Sequence, residues 1–373
     1  MKFFKKLSLG AVVLAPLPLF VACQKEEVKN SQILYVALES SEVPQEIYAE
    51  FKKYLSEELD KSWYKVEFKA NSTLDKTSTI AALKKGGENA DGIDFAFVAA
   101  GALKNNLDNL DVKVQTLTNT FLGDTEEGYY SDGTLENDYL RKIAKIESDK
   151  FNEKPFAQWT NFDGVIHTDQ YQNPTERVRF QRGMIWISGD DATRAAIKKA
   201  WDDKDWAKFR SFGIVHGDPD SGSKYLLPQN LLKLHFNKEG NAFTTLAKEL
   251  ADHSSDFTNG SIKDWQTKHS DKKILFDNQG SFGWTSVKKA DRYTPKIQGE
   301  KLEILTLTNP LPYNLGVFNK RVPKALQDAV ARAFVKMMEE NKNNWGNYQG
   351  FNGYSIVEDN AKSVLEMYER SSK

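Results

Sequence analysis

"FGIVHGDPDSGSKYLLPQNLL", residues 212–232, sets a β-type apolar run against a helical one across an acidic turn. Residues 212–215 read as a buried strand. Beyond Lys224 the apolar positions recur at helical spacing, with Pro228 near the front, where a missing N–H donor costs little. A strand, a loop rich in glycine and hydroxyls, and a helix make half of a βαβ unit. Units of this kind build sheets whose ligands sit beyond the carboxyl ends of the strands. The first N–H groups of such a helix have no partner within it, and its dipole adds partial positive charge there. Gly222 permits close approach, Ser221 and Ser223 add hydroxyl donors, and Lys224 adds a full charge, a set suited to a phosphate or phosphonate. Serine at a helix start is also an ordinary N-cap, so the segment alone leaves both readings open. Asp218 and Asp220 leave a divalent cation as an option beside the phosphate, although their spacing does not complete a calcium loop.

The same rhythm extends towards the N-terminus. "ILYVAL" (33–38), "KVEFK" (65–69) and "IDFAFV" (93–98) read as strands. Between them, 43–59 and "LDKTSTIAALKKG" (74–86) carry helical spacing, the second stopped by Gly86-Gly87. Strand and helix in alternation predict an α/β fold on a mainly parallel sheet with right-handed crossovers. The loops at the strand ends hold Glu39, Ser40 and Ser41, then Ser72 and Thr73, then Ala100 and Gly101, which together make one half of a pocket. From 118 to 180 the rhythm lapses. "GYYSDGTLENDYLRKIAKI" (128–146) holds a turn and one helix, and 152–176 forms a long irregular excursion, a length that suits a lid or binding loop. It resumes with "GMIWIS" (183–188), the helix "DATRAAIKKAW", the strands "KILFD" and "LEILTL", and a late helix marked by Leu326, Val330, Phe334 and Met337. Arg182, just ahead of a strand, could grip an anion with two donors. "NQGSFGWTS" (278–286) supplies Ser281 and Trp284, and "TNPLPYN" (308–314) supplies Asn309 and Tyr313. With Trp159 of the excursion, these aromatics could stack on a flat, cationic ring.

Composition sets the outer limits. The chain has 373 residues, 40% of them hydrophobic and 12% aromatic, enough for two globular domains. Residues 1–22 open with lysines, continue as an apolar run broken by Pro16 and Pro18, and end at Ala22 before Cys23, the single cysteine. The run is too short and too interrupted to span a bilayer, and it resembles a bacterial lipoprotein signal in which Cys23 is lipidated. Two acyl chains on that residue would anchor the protein stably, with 23–32 as tether, on the outer face of the plasma membrane. Loss of the leader removes Lys2, Lys5 and Lys6 and leaves a formal net charge of −4, which argues against a nucleic-acid partner.

"PFAQWT", "FQRGMIWISGDDATRAAIKKAWDDKDWAKFRSFGIVHG", "GSFGWT" and "NPLPYNLGVF" resemble the mycoplasma high-affinity transport-system lipoprotein family (Cypl-like), within the phosphonate-type solute-binding proteins of ABC importers. In the phosphonate subfamily an Asp-Pro turn leads to Ser-x-Ser-Gly; here Gly222 and Ser223 are permuted. The resemblance implies a two-lobed periplasmic-binding-protein-like fold (type II) with ligand in the interlobe cleft. Lobe 1 would comprise 33–118 and 308–373, lobe 2 would comprise 183–307, and 119–182 would form a lid or crossover insertion. Hinges are expected near Asn119 or Phe180 and near Thr306 to Pro310. The resemblance also implies uptake of thiamine or thiamine pyrophosphate, an ABC permease as partner, and a monomer without a cofactor. Arg182, Ser221, Gly222, Ser223 and Lys224 then become candidates for the diphosphate, and Trp159, Trp284 and Tyr313 candidates for ring stacking. A phosphonate or phosphate receptor of the same fold is the nearest alternative, and a surface adhesin the next. An enzyme is not expected: the five histidines have no metalloprotease spacing, and neither a nucleophile elbow nor a P-loop occurs.

Overall fold

Gln32–Val36 (β1), Tyr64–Phe68 (β2) and Phe95–Val98 (β3) are the strands announced by the first apolar runs, joined by helices Gln45–Asp60 and Lys76–Lys85. The first helix buries Tyr48, Phe51, Leu55 and Leu59, residues three or four apart and therefore on one face. The computed structural model describes residues 32–38, 43–69, 76–103, 106–164, 166–172, 176–240, 242–284, 292–359 and 361–372. Cys23, Glu39, Ser40, Ser41, Ser72 and Thr73, with the expected signal and most of the tether, lie outside the described residues.

The remaining strands are Leu110–Asn119 (β4), Arg177–Val178 (β5), Phe180–Gln181 (β6), Gly183–Gly189 (β7), Ile214–His216 (β8), Phe257–Asn259 (β9), Ile274–Asn278 (β10), Lys301–Leu307 (β11), Leu311–Pro312 (β12), Leu315–Asn319 (β13) and Gly353–Ile356 (β14). One sheet runs β14-β4-β13-β3-β1-β2 with β5 on β4, the other runs β11-β7-β10-β8-β9, and β6 pairs with β12 as a separate two-stranded ribbon. In the first sheet β1 is parallel to β2 and β3, while β13 lies antiparallel between β3 and β4. In the second, β8 is parallel to β9 and β10, while β7 lies antiparallel between β10 and β11. Four strands of each sheet thus share a direction, with one reversed strand inserted between the third and fourth; in the first sheet β14 and β5 also run antiparallel to β4.

This corrects the expectation of mainly parallel neighbours. β7 and β13 are the strands that arrive from the other sheet, so each enters at the carboxyl ends of its new neighbours and runs back against them. The α/β architecture, built on two separate main sheets, is as expected. β4 and β13, at the centre of the first sheet, are not prominent in the sequence, since burial on both faces blurs their alternation.

Each sheet is packed on both faces. Phe51, Phe95, Phe334 and Trp345 gather on one side of the first, with Phe51 stacked on Trp345 at 4.3 Å, and Leu83, Leu103, Val112 and Val317 on the other. Trp201, Phe209 and Phe236 cover one face of the second sheet, and Trp186, Trp265 and Phe282 the other. Complete burial of side chains this large stabilises the fold by about 2–3 kcal/mol each.

The stretch 119–182, expected as a lid or crossover insertion, is only partly irregular. Asp138 caps the helix Tyr139–Asn152 by accepting from the N–H groups of Leu140 and Arg141. That helix is fixed to β11: Arg141 donates to the Leu305 carbonyl, Asn152 to the Leu302 carbonyl at 3.0 Å, and Ile304 N–H donates to Ser148 Oγ at 3.0 Å. A helix so bound is part of the second lobe's core, not a lid. The chain then returns to pair Arg177 and Val178 with the end of β4. Before entering β7 it makes the β6–β12 ribbon, Phe180 opposite Pro312 and Gln181 opposite Leu311. Besides that return through 153–176, three passages join the lobes: a first at 120–138, a second at 178–182 and a third at 308–314.

Candidate functional site

A cavity of about 310 Å³ opens where these passages meet. Phe121, Phe180, Trp284, Tyr313 and Tyr348 give it aromatic walls, and Asn278, Gln279 and Ser281, in and just after β10, give it polar ones. Two glycines permit this assembly. Gly280 has φ +70°, and a Cβ there would lie 1.6 Å from Phe121 Cζ, so the turn after β10 closes on Phe121 only because position 280 has no side chain. Gly350 has φ +80°, and a Cβ there would lie 2.7 Å from the Tyr313 hydroxyl and 3.5 Å from the Trp284 ring. It ends the helix Asn344–Gln349 with a left-handed residue and brings that end against both aromatics.

Arg182 lines the cavity, yet its guanidinium is turned inward. Nε and one terminal nitrogen hold Asp124 in a two-pronged pair at 2.9 and 3.0 Å. The other three donors go to the carbonyls of Glu126 (2.9 Å), Gly128 (2.9 Å) and Thr308 (3.2 Å). A guanidinium has five N–H donors, and all are used. This corrects the reading of Arg182 as an anion grip: from the second passage it ties the first and third together. The backbone is equally committed, since Gln279 N–H donates to the Arg182 carbonyl at 3.1 Å.

Behind Arg182 lies a second acid. Glu147 is buried in the helix Tyr139–Asn152, and Gln279 Nε2 donates to it at 2.7 Å and to Asp124 at 2.8 Å. Burial, then the nearby Asp124 charge, push the Glu147 carboxyl well above the ordinary glutamate range, against the opposing pull of the Gln279 hydrogen bond and Arg182.

The segment Ser221–Lys224 does begin a helix, through a π-helical turn at Gly222–Leu226 that passes into Leu227–His235. Ser221 Oγ accepts from Lys224 N–H at 3.3 Å and serves as the cap. Ser223 Oγ donates to Asn278 Oδ1, and Lys224 Nζ pairs with Asp277 at 2.9 Å. Asn278 lines the cavity, so the helix start adjoins its wall rather than forming it. The two serine hydroxyls and the lysine thus have internal partners, and the backbone N–H groups at the helix start remain the segment's main offer to an anion.

Other candidates divide. Ser281, Trp284 and Tyr313 are brought together at the cavity. Trp159 is not among its walls: it packs on Phe156 at 4.6 Å and Phe151 at 5.6 Å, and its indole N–H donates to the Lys154 carbonyl at 3.2 Å. Its role is packing, which corrects the stacking assignment. Asn309 is buried and accepts from Tyr130 N–H at 2.7 Å, bracing the third passage against the first. Ala100 is buried, and Gly101 faces Tyr368, whose ring a Cβ there would meet at 3.5 Å, so neither lines the cavity. Phe121, Gln279, Tyr348 and Gly350 are missing from the sequence reading. Gln279 stood beside the glycine of a quoted motif, and the others carry no local signal. Among the described residues, no group of three or more His, Cys, Asp and Glu side chains is placed to hold a metal ion.

Comparison with known proteins follows the same lines. The high affinity transport system protein p37 of Mesomycoplasma hyorhinis is 38% identical over 321 residues, covering 84% of this chain and 78% of that protein. The p37 of Mycoplasma pneumoniae is 30% identical over 384 residues, covering 96% of this chain and 95% of that protein. The solved structure of Mycoplasma hyorhinis Mh-p37, for which thiamine pyrophosphate transport has been put forward, superposes with a TM-score of 0.82 at 34% identity, over 92% of this chain and 99% of that one. XAC2383 of Xanthomonas citri bound to ATP, at 10% identity and a TM-score of 0.50 over 91% of this chain and 97% of that one, shares the fold alone. The model of the CypI family, extracytoplasmic thiamine-binding lipoproteins, matches residues 43–372, and with p37 relatives along nearly its whole length the chain belongs to that family.

Proposed function

We propose that this protein captures thiamine or thiamine pyrophosphate outside the cell and delivers it to an ABC permease. It does so as a lipid-anchored monomer held through Cys23, with no bond made or broken. The carrying observation is the cavity of aromatic and amide groups at the passages between the sheets, beside a helix start, in a chain of this family. The aromatic walls suit the pyrimidine and the cationic thiazolium, whose charge is attracted to ring faces. The N–H groups of Gly222 and Ser223 suit the diphosphate, which would bring any divalent cation with it. Passages built of short segments allow the lobes to close on a ligand, so binding energy can be linked to closure.

Ligand that binds only the folded state raises its stability by mass action. At a hundred times the dissociation constant the gain is about 2.7 kcal/mol, or roughly 4 °C in melting temperature for a chain of this size. Differential scanning fluorimetry with thiamine, thiamine pyrophosphate and methylphosphonate is the direct test. A rise with methylphosphonate alone would favour the phosphonate receptor, and no rise with any of the three at millimolar concentration would end the proposal.

The two tryptophans should separate in the same assay. Trp284→Ala is expected to weaken thiamine binding about tenfold with little change in the unliganded melting temperature. Trp159→Ala is expected to cost about 2 kcal/mol of stability and to leave affinity within threefold. Calorimetric titration of both variants distinguishes the roles, and equal affinity losses would contradict them.

A further inference from the structure

Gln279 lines the cavity, and its hydrogen-bonding orientation is dictated by groups behind it. Both protons of its amide nitrogen are claimed from the protein side, one by Asp124 at 2.8 Å and one by Glu147 at 2.7 Å. A flip of the amide would set the carbonyl oxygen against Asp124, both of whose oxygens already accept from Arg182 and have no proton to offer it. Protonation of Glu147, which its burial favours, would not reverse this, because the carbonyl half of a neutral carboxyl still accepts a hydrogen bond while Asp124 continues to repel an oxygen. The amide nitrogen therefore points to the acids, and the amide oxygen is the group left to meet a ligand.

We infer that Gln279 is the specificity-determining residue for the pyrimidine end of the ligand, its amide oxygen accepting a hydrogen bond from the exocyclic amino group. This rests on the thiamine reading of the cavity and goes beyond it by assigning which end of the molecule the cavity reads, and through which atom. The neighbouring walls agree with a ring: Phe121, Trp284 and Tyr313 supply flat apolar surface, and Arg182, the guanidinium in the lining, has no donor left for a phosphate. A ligand with an oxo group in place of the amino group would set oxygen against oxygen in a partly dry site. Loss of a hydrogen bond with the acceptor left unpaired lowers affinity on the order of 30-fold to 100-fold.

Oxythiamine differs from thiamine at this position. Calorimetric titration of the wild-type protein with both compounds should show thiamine binding at least about 30-fold more tightly. Gln279→Met, which keeps the length of the side chain and removes the acceptor, should bring the two affinities within about threefold, mainly through weaker thiamine binding. Equal affinities in the wild type would overturn the inference while leaving the thiamine reading intact. Full discrimination retained by Gln279→Met would overturn it as well, since another group would then read the amino position. Binding of neither compound by wild type would remove the functional proposal and this inference with it. Should Gln279→Met fail to fold, the wild-type ratio still decides, and Glu147→Gln, which keeps the Asp124 contact, is expected to preserve the preference for thiamine.

Discussion

Arg182→Met should destabilise the protein by about 3–5 kcal/mol, measured by urea unfolding. The variant loses more than the Coulombic attraction to Asp124. Asp124 would remain buried, at 1% exposure, as a carboxylate without its cation, and that uncompensated charge accounts for most of the cost. Three carbonyls on two separate passages, those of Glu126, Gly128 and Thr308, would lose their donors as well. Lysine at 182 should not restore the wild-type value, because a point-like ammonium cannot reproduce a planar fork that reaches two passages at once. The same contacts make a functional consequence specific. With the passages released from one another, affinity should fall together with stability. A variant that lost affinity at full stability would instead support a direct ligand contact, contrary to the geometry described above.

Glu147→Gln should stabilise the protein at neutral and mildly alkaline pH and flatten its pH dependence. The sign follows from the direction of the shift. Glu147 titrates higher in the folded state than in the unfolded chain, so between those two points the folded protein holds a proton that the unfolded chain has released. Stability from this residue is complete at pH values below the unfolded glutamate's range, and it declines as pH rises towards the folded value. The slope is at most about 1.4 kcal/mol per pH unit. A neutral glutamine carries no such linkage, and its carbonyl can still accept from Gln279. Urea unfolding from pH 4 to pH 8 should therefore show wild-type stability falling relative to the variant as pH increases. A difference that did not vary with pH would contradict a Glu147 carboxyl raised by burial in the folded state.

Both predictions concern residues whose importance is not local. Arg182 is visible in the sequence as a cation before a strand, and that position suggested an anion. Its actual partners lie 58 residues away at Asp124 and 126 residues away at Thr308, and no spacing rule links them. Trp159 looks spare in a stretch without periodicity, yet Phe151, Phe156 and Phe282 enclose it after folding. Gln279 carries no charge and matches no catalytic pattern. It becomes informative only when two carboxyl groups are found at its nitrogen.

What the sequence determined by itself was whatever depends on neighbours a few residues apart. The helical face of Tyr48, Phe51, Leu55 and Leu59, the apolar strands, the capped helix start at Ser221 and the glycine-bearing turn after β10 all follow from short-range periodicity and backbone preference. The tertiary structure alone decided which strand was reversed, which cation was consumed in holding the passages together, and which aromatics met around empty volume. Those outcomes turn on contacts between distant segments, where burial makes an unpaired charge or donor costly and so selects one partner from many.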